Sequence, residues 1–96
     1  MADDTRQRLE MLLVMQWLDE GADEAGELAL SVATAASELG LEHGRAGLLE
    51  VMAALGELED RRVVRVAWPA GAGSREAVVT LSAELRQDAR RLFGQA

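Results

Sequence analysis

Residues 61–81 read RRVVRVAWPAGAGSREAVVTL, and here the hydrophobic period of the chain changes. Val64, Val66 and Trp68 alternate with other residues, as they do in a half-buried strand. The stretch 69–75 (PAGAGSR) is rich in Pro, Gly and Ser, and 76–81 (EAVVTL) alternates again. Two short alternating runs around such a loop predict a β-hairpin. On both sides of it the period is helical. Upstream, Leu48, Val51, Met52, Leu55 and Leu58 form one apolar stripe, which predicts a helix from the end of a turn at 41–44 to about Arg61. Downstream, Ser82 is placed to cap a last helix with the stripe Leu81, Leu85, Ala89 and Leu92, and with Phe93 beside it.

Two more helices precede the long stripe. Asp4 with Gln7 three positions on reads as a capping box, predicting a helix from Thr5 to about Glu20 that stops at Gly21. The acidic, turn-rich run 21–27 (GADEAGE) follows, then a short strand at Leu28 to Val32. Ser31 is a candidate N-cap for a helix from Val32 to Leu39, closed by Gly40 in the left-handed conformation. Four helices and a hairpin define an α+β class in which helices dominate.

Ninety-six residues make one domain, 1–96. With 49% apolar and 28% charged residues, wholesale disorder, collagen and coiled-coil compositions are excluded. There is no cysteine and one histidine, so disulfides, thiolate chemistry and zinc-finger spacing are absent, and neither a metal nor a cofactor is expected. No nucleophile, base and orienting group stand at a recognisable spacing, which argues against an enzyme. The acidic start Ala2-Asp3-Asp4 is not a signal peptide, and the apolar run from Leu9 to Leu18 is too short to span a bilayer. A cytoplasmic location and no membrane partner are therefore expected.

The net charge of −7 is unevenly spread. Residues 1–42 carry ten acids against Arg6 and Arg8, and 43–60 carry four acids against Arg45. Residues 61–96 carry three acids against seven arginines, and the chain has no lysine. The C-terminal third is thus basic in an acidic protein, and arginine suits planar, bidentate contacts to phosphate. In the first helix, residues 11–15 are consecutively apolar and point all round the axis, beyond what one core face serves. Either this helix is wedged between two layers of its own fold, or Met11, Val14, Met15 and Leu18 form the candidate surface of a homodimer.

The order of helix, helix, turn, helix and two-stranded hairpin resembles the winged helix-turn-helix superfamily, including MarR-like and PadR-like bacterial regulators. The residues carrying the resemblance are Ala36-Ser37-Glu38-Leu39-Gly40-Leu41, then Val51, Leu55, Leu58-Glu59 and Val63-Val64-Arg65, and the junction Leu81-Ser82. It covers nearly the whole chain and implies a wing with flanking N- and C-terminal helices. It also implies a transcriptional regulator that binds double-stranded DNA as a homodimer. Two departures stand out. Arg62 occupies the place where such domains usually put glycine just before the wing, so either a non-glycine residue takes positive φ or the helix ends differently. Leu41 and Val51 are ten apart where about five residues are usual, so the third helix or its turn is longer.

With Val51 in its family place, the positions facing a major groove are Leu48, Leu49, Glu50, Ala53 and Gly56, an unusual set for reading base edges. DNA contact then falls to His43 and Arg45 at the tip of that helix and to Arg61, Arg62, Arg65 and Arg75 around the wing. The alternative is a protein-interaction module that docks a partner on the acidic, apolar surface of the third helix. If Arg45, Arg65 and Arg75 share a face with the helix tip, DNA is favoured; if acids cover that face, a protein partner is.

Overall fold

The structure, a computed structural model, describes residues 2–42, 44–69 and 76–93. Among them are four helices and a three-stranded antiparallel sheet: α1 (Ala2–Asp19), β1 (Glu27–Ser31), α2 (Val32–Glu38), α3 (Arg45–Asp60), β2 (Val64–Ala67), β3 (Glu76–Leu81) and α4 (Ala83–Phe93). The class is α+β, as the periodicities indicate.

The hairpin is larger than local alternation shows. β3 lies in the middle of the order β1-β3-β2, so the strand before α2 joins the sheet from the far side. The register sets Leu28 opposite Val79, Leu30 opposite Ala77, Val64 opposite Leu81 and Val66 opposite Val79. All these side chains therefore fall on one face, which packs against the helices, because side chains on a strand alternate with a period of two. The outer face carries Ala29, Arg65, Val78 and Thr80. Both edges are occupied by side chains. Gln16 of α1 donates to the Ala29 carbonyl of β1 at 3.0 Å, and Glu59 of α3 accepts from the Val66 N–H of β2 at 3.2 Å. Such contacts blunt edges that would otherwise template association.

α3 is the helix around which the core is assembled. Val51, Leu55 and Leu58 of its stripe are buried with Gly47 and Ala54, while Leu48 and Met52 are half-buried at the margin. α1 packs beside it and buries Leu9, Leu13 and Trp17, at i, i+4 and i+8, in the same core. α1 begins by Ala2, earlier than the capping box at Asp4 predicts, so Asp4 lies inside the helix, 3.9 Å from Arg8. Arg8 in turn donates to the Leu39 carbonyl at the end of α2, at 2.7 Å. The caps at Ser31 and Ser82 form as the sequence indicates: each hydroxyl accepts from the backbone N–H three residues on, Thr34 and Leu85. Leu92, placed on the core stripe of α4 by its spacing, is exposed, because that helix buries only Leu85 and Ala89.

Three helices end in the same way. After α1, α2 and α3 the chain turns through a left-handed residue, and the next N–H reaches back to the helix: Ala22 to Trp17, Leu41 to Ala36, Val63 to Leu58. This is the Schellman closure, in which one residue must take positive φ. Gly21 and Gly40 supply it at the first two ends, but Arg62 does so after α3, with φ 64°. The non-glycine alternative read from the sequence is the one the chain adopts.

Two glycines of α3 give opposite expectations. A Cβ at Gly47 would sit 2.0 Å from the Glu42 carbonyl oxygen, whereas one at Gly56 meets nothing within 4 Å. Gly47→Ala is expected to lower the urea midpoint by an amount equivalent to about 2 kcal/mol, since the clash outweighs the helix propensity gained. Gly56→Ala is expected to raise it by up to about 1 kcal/mol. Equal effects of the two changes in urea titrations would contradict this packing.

Candidate functional site

α3 exposes a stripe of Ala46, Leu49, Glu50, Ala53 and Asp60, with Glu57 half-buried along it. These positions recur at three- and four-residue intervals because Gly47, Val51, Ala54, Leu55 and Leu58 take the opposite side into the core. Leu49 is 55% exposed, so a large apolar side chain stands at the centre of the surface. Glu50 accepts a hydrogen bond from the Thr5 hydroxyl at 2.5 Å, which fixes its carboxylate on the flank facing α1. Behind it lies a small cavity of about 40 Å³, lined by Thr5, Glu50, Ala53, Ala54 and Glu57. Glu42, in the turn before α3, is also exposed, whereas exposed Glu38 ends α2 on the side of α1 and β1. Arg45 is exposed at the first position of α3 after Gly44, and the Arg8 guanidinium lies at the Leu39 carbonyl just before the turn.

The arginines proposed from sequence for DNA contact divide between two places. Arg45 opens α3, whereas Arg61 and Arg62 follow its last turn, roughly 24 Å away at about 1.5 Å per residue. Arg65 is the second residue of β2, paired with Thr80 on the outer face of the sheet at the end where β3 finishes. Arg61, Arg62 and Arg65 are exposed, and they gather at the C-terminal end of α3, not at its tip. His43 and Arg75 lie outside the described residues.

The four dimer candidates also divide. Met11 and Met15 are 48% and 44% exposed, but Val14 is 5% exposed and belongs to the core, and Leu18 is half-buried against it. Val14 is thus not an outward residue: a run of five apolar residues on a helix sends its third and fourth members inward here, with Leu13 and Val14 both buried. What the sequence did not pair with the methionines is the end of α4. Leu92 and Phe93 are exposed, and a groove of about 320 Å³ runs between the helices, with Met11 and Val14 on one wall and Leu85, Ala89 and Phe93 on the other. Only a non-local packing signal could have found this surface.

Arg86, Arg90 and Arg91 make bonds within the chain. Arg86 donates from Nε to the Leu81 carbonyl at 3.3 Å and from Nη1 to the Glu24 carbonyl. Arg90 donates to the Ala22 carbonyl at 3.3 Å and lies 5.4 Å from the centroid of the Trp17 ring, a cation–π distance. Trp17 itself donates to the Asp23 carbonyl at 2.9 Å. Together these bonds clamp the connection between α1 and β1 onto α4, and Arg91 pairs with Asp88 at 2.5 Å. Trp68, half in solvent at 40%, follows β2 at the mouth of the hairpin loop.

Among the described residues no group of three or more His, Cys, Asp or Glu side chains converges as a metal site, and no helix is long and apolar enough to cross a membrane. Comparison with protein families, with characterised proteins and with solved structures finds no match for this chain.

Proposed function

We propose that the chain is a winged-helix protein-interaction module, self-associating through α1 and α4, whose outward α3 stripe docks a partner with an apolar segment flanked by basic residues. The observation that carries this reading is the composition of the stripe. Leu49 stands between Ala46 and Ala53, with Glu50 on one flank and Glu57 and Asp60 towards the far end. Apart from Arg45 it offers none of the Arg, Lys, Asn, Gln, Ser or Thr groups that read base edges, and its carboxylates would lie against phosphate. A basic, apolar partner instead matches Leu49 and the exposed carboxylates of Glu50 and Asp60. Covering the exposed half of Leu49 contributes about 1 to 1.5 kcal/mol, and the rim carboxylates chiefly speed encounter and select the partner.

A DNA-binding regulator is the second reading, favoured by one observation. Arg45 is exposed at the start of the helix that follows the turn, where backbone N–H groups favour an anion. The two readings oppose each other at the same residues. On the DNA reading Glu50→Arg and Glu57→Arg relieve repulsion and tighten non-specific binding, and Arg45→Ala alters sequence preference. On the protein reading both glutamate changes abolish docking.

A synthetic amphipathic helix with leucines on one face and arginines beside them serves as a probe for nuclear magnetic resonance titration of the labelled protein. Shifts centred on Leu49, Glu50 and Ala53 are expected, weakened about tenfold or more by Leu49→Asp, which removes the apolar anchor. Shifts spread evenly over the acidic α1 and 20–27 region, unaffected by Leu49→Asp, would show non-specific attraction and sink the proposal.

Self-association follows from exposed Met11, Met15, Leu92 and Phe93 around the α1–α4 groove, an apolar surface that a second copy would cover. Light scattering at tens of micromolar is expected to give a dimer. Met15→Glu should yield a monomer with unchanged circular dichroism, whereas Val14→Glu should unfold the chain because that side chain is internal. A wild-type monomer, or unfolding by Met15→Glu, would contradict the assignment.

A further inference from the structure

A depression of about 450 Å³ opens at the end of the sheet where β2 begins and β3 ends, at the opposite end of α3 from Arg45. Arg62, Arg65 and Arg86 line it, with Glu59 as the single acid, in a chain whose net charge is −7. That acid is engaged, since its carboxylate accepts from the Val66 N–H. Arg62 and Arg65 have no ion-pair or hydrogen-bond partner for their side chains among the described residues. Arg86 is held in place by the Leu81 and Glu24 carbonyls. Its stem packs on Gly26, where an added Cβ would come within 2.9 Å of Arg86 Cδ and Nε. Ser82 and Ala83 complete the wall, bringing the first turn of α4 to the same depression. Ser82 Oγ takes the Leu85 N–H, while the Ala83 and Glu84 N–H groups have no partner among the described residues.

The Arg62 backbone adds to this. Glycine would satisfy the left-handed closure of α3 without a side-chain penalty, yet the chain places there an arginine that lines the depression. Three guanidinium groups, one of them pre-fixed, together with open helix N–H groups match the oxygens of more than one phosphate group. The volume is that of a small-molecule pocket.

We propose that this pocket binds a small polyphosphate anion, the di- or triphosphate portion of a phosphorylated metabolite. The site is independent of the docking role of α3 and stands whether or not that role holds.

Inorganic pyrophosphate and triphosphate are the probes, titrated calorimetrically into the full-length protein at low salt. Saturable one-to-one binding is expected, tighter for triphosphate than for sulfate at equal ionic strength. Arg65→Gln and Arg62→Gly are each expected to weaken it about tenfold, the loss of charge-assisted hydrogen bonds from one arginine. Arg62→Gly should at the same time raise the thermal midpoint, because it relieves the backbone. A raised midpoint with unchanged affinity would leave Arg62 a purely structural role and overturn the proposal. So would the absence of saturation at millimolar probe, or binding that survives both substitutions. If neither probe binds, but random-sequence duplex does and loses affinity in both variants, the phosphates recognised belong to nucleic acid and the small-molecule site is refuted.

Discussion

The fold depends on β3 pairing with both of its neighbours. It draws β1, from the beginning of the chain, and β2, from its middle, into one sheet, and every inward residue of the three strands lands on the same face. That face is the floor on which α3 sits. Slipping the register by one residue would turn Leu28, Leu30, Val64 and Val79 to solvent together, so the pairing is fixed by burial and not by strand propensity alone. With the floor set, α1 closes over α3 through Leu9, Leu13 and Trp17, and α4 is fastened over the 21–26 connection by Arg86 and Arg90.

The same arrangement sorts charge along α3. Its outward stripe carries the carboxylates of Glu50 and Asp60 around Leu49, with Glu42 exposed just before the helix and Arg45 at its first position. Arg61, Arg62 and Arg65 collect beyond its last turn, beside the start of α4. A helix of 16 residues is long enough to keep the two regions apart, so the molecule presents an acidic, apolar surface and a basic depression and not one mixed face. The separation keeps the basic depression away from the acidic stripe of α3.

Much of this was legible in the sequence because it is local. The stripe of α3, the hydroxyl caps at Ser31 and Ser82, and the left-handed turn at Gly40 each depend on residues within one or two turns. So does the choice at Arg62, which the sequence narrowed to a positive φ or a different helix end. What escaped is non-local. Leu28 and Val79 are about fifty positions apart, and nothing in either strand's alternation says that they pair. The grouping of Met11 with Phe93 escaped for the same reason, as did the inward turn of Val14 within an unbroken apolar run. Arg45 was grouped with Arg61, Arg62 and Arg65 by charge alone, but the length of α3 sets it apart from them.

The central claim is that the outward stripe of α3 is a protein-docking surface and not a DNA-reading one. The most direct measurement is fluorescence anisotropy of a labelled random-sequence duplex titrated with the wild-type protein at about 50 mM salt, where release of counterions most favours binding. The account expects no saturable binding that depends on Arg45, and none gained when Glu50 and Glu57 are replaced by arginine without also restoring groove-reading side chains elsewhere on the stripe. Saturable wild-type binding with a steep salt dependence, lost on Arg45→Ala and tightened by the glutamate replacements, would contradict it and make α3 a DNA-binding helix.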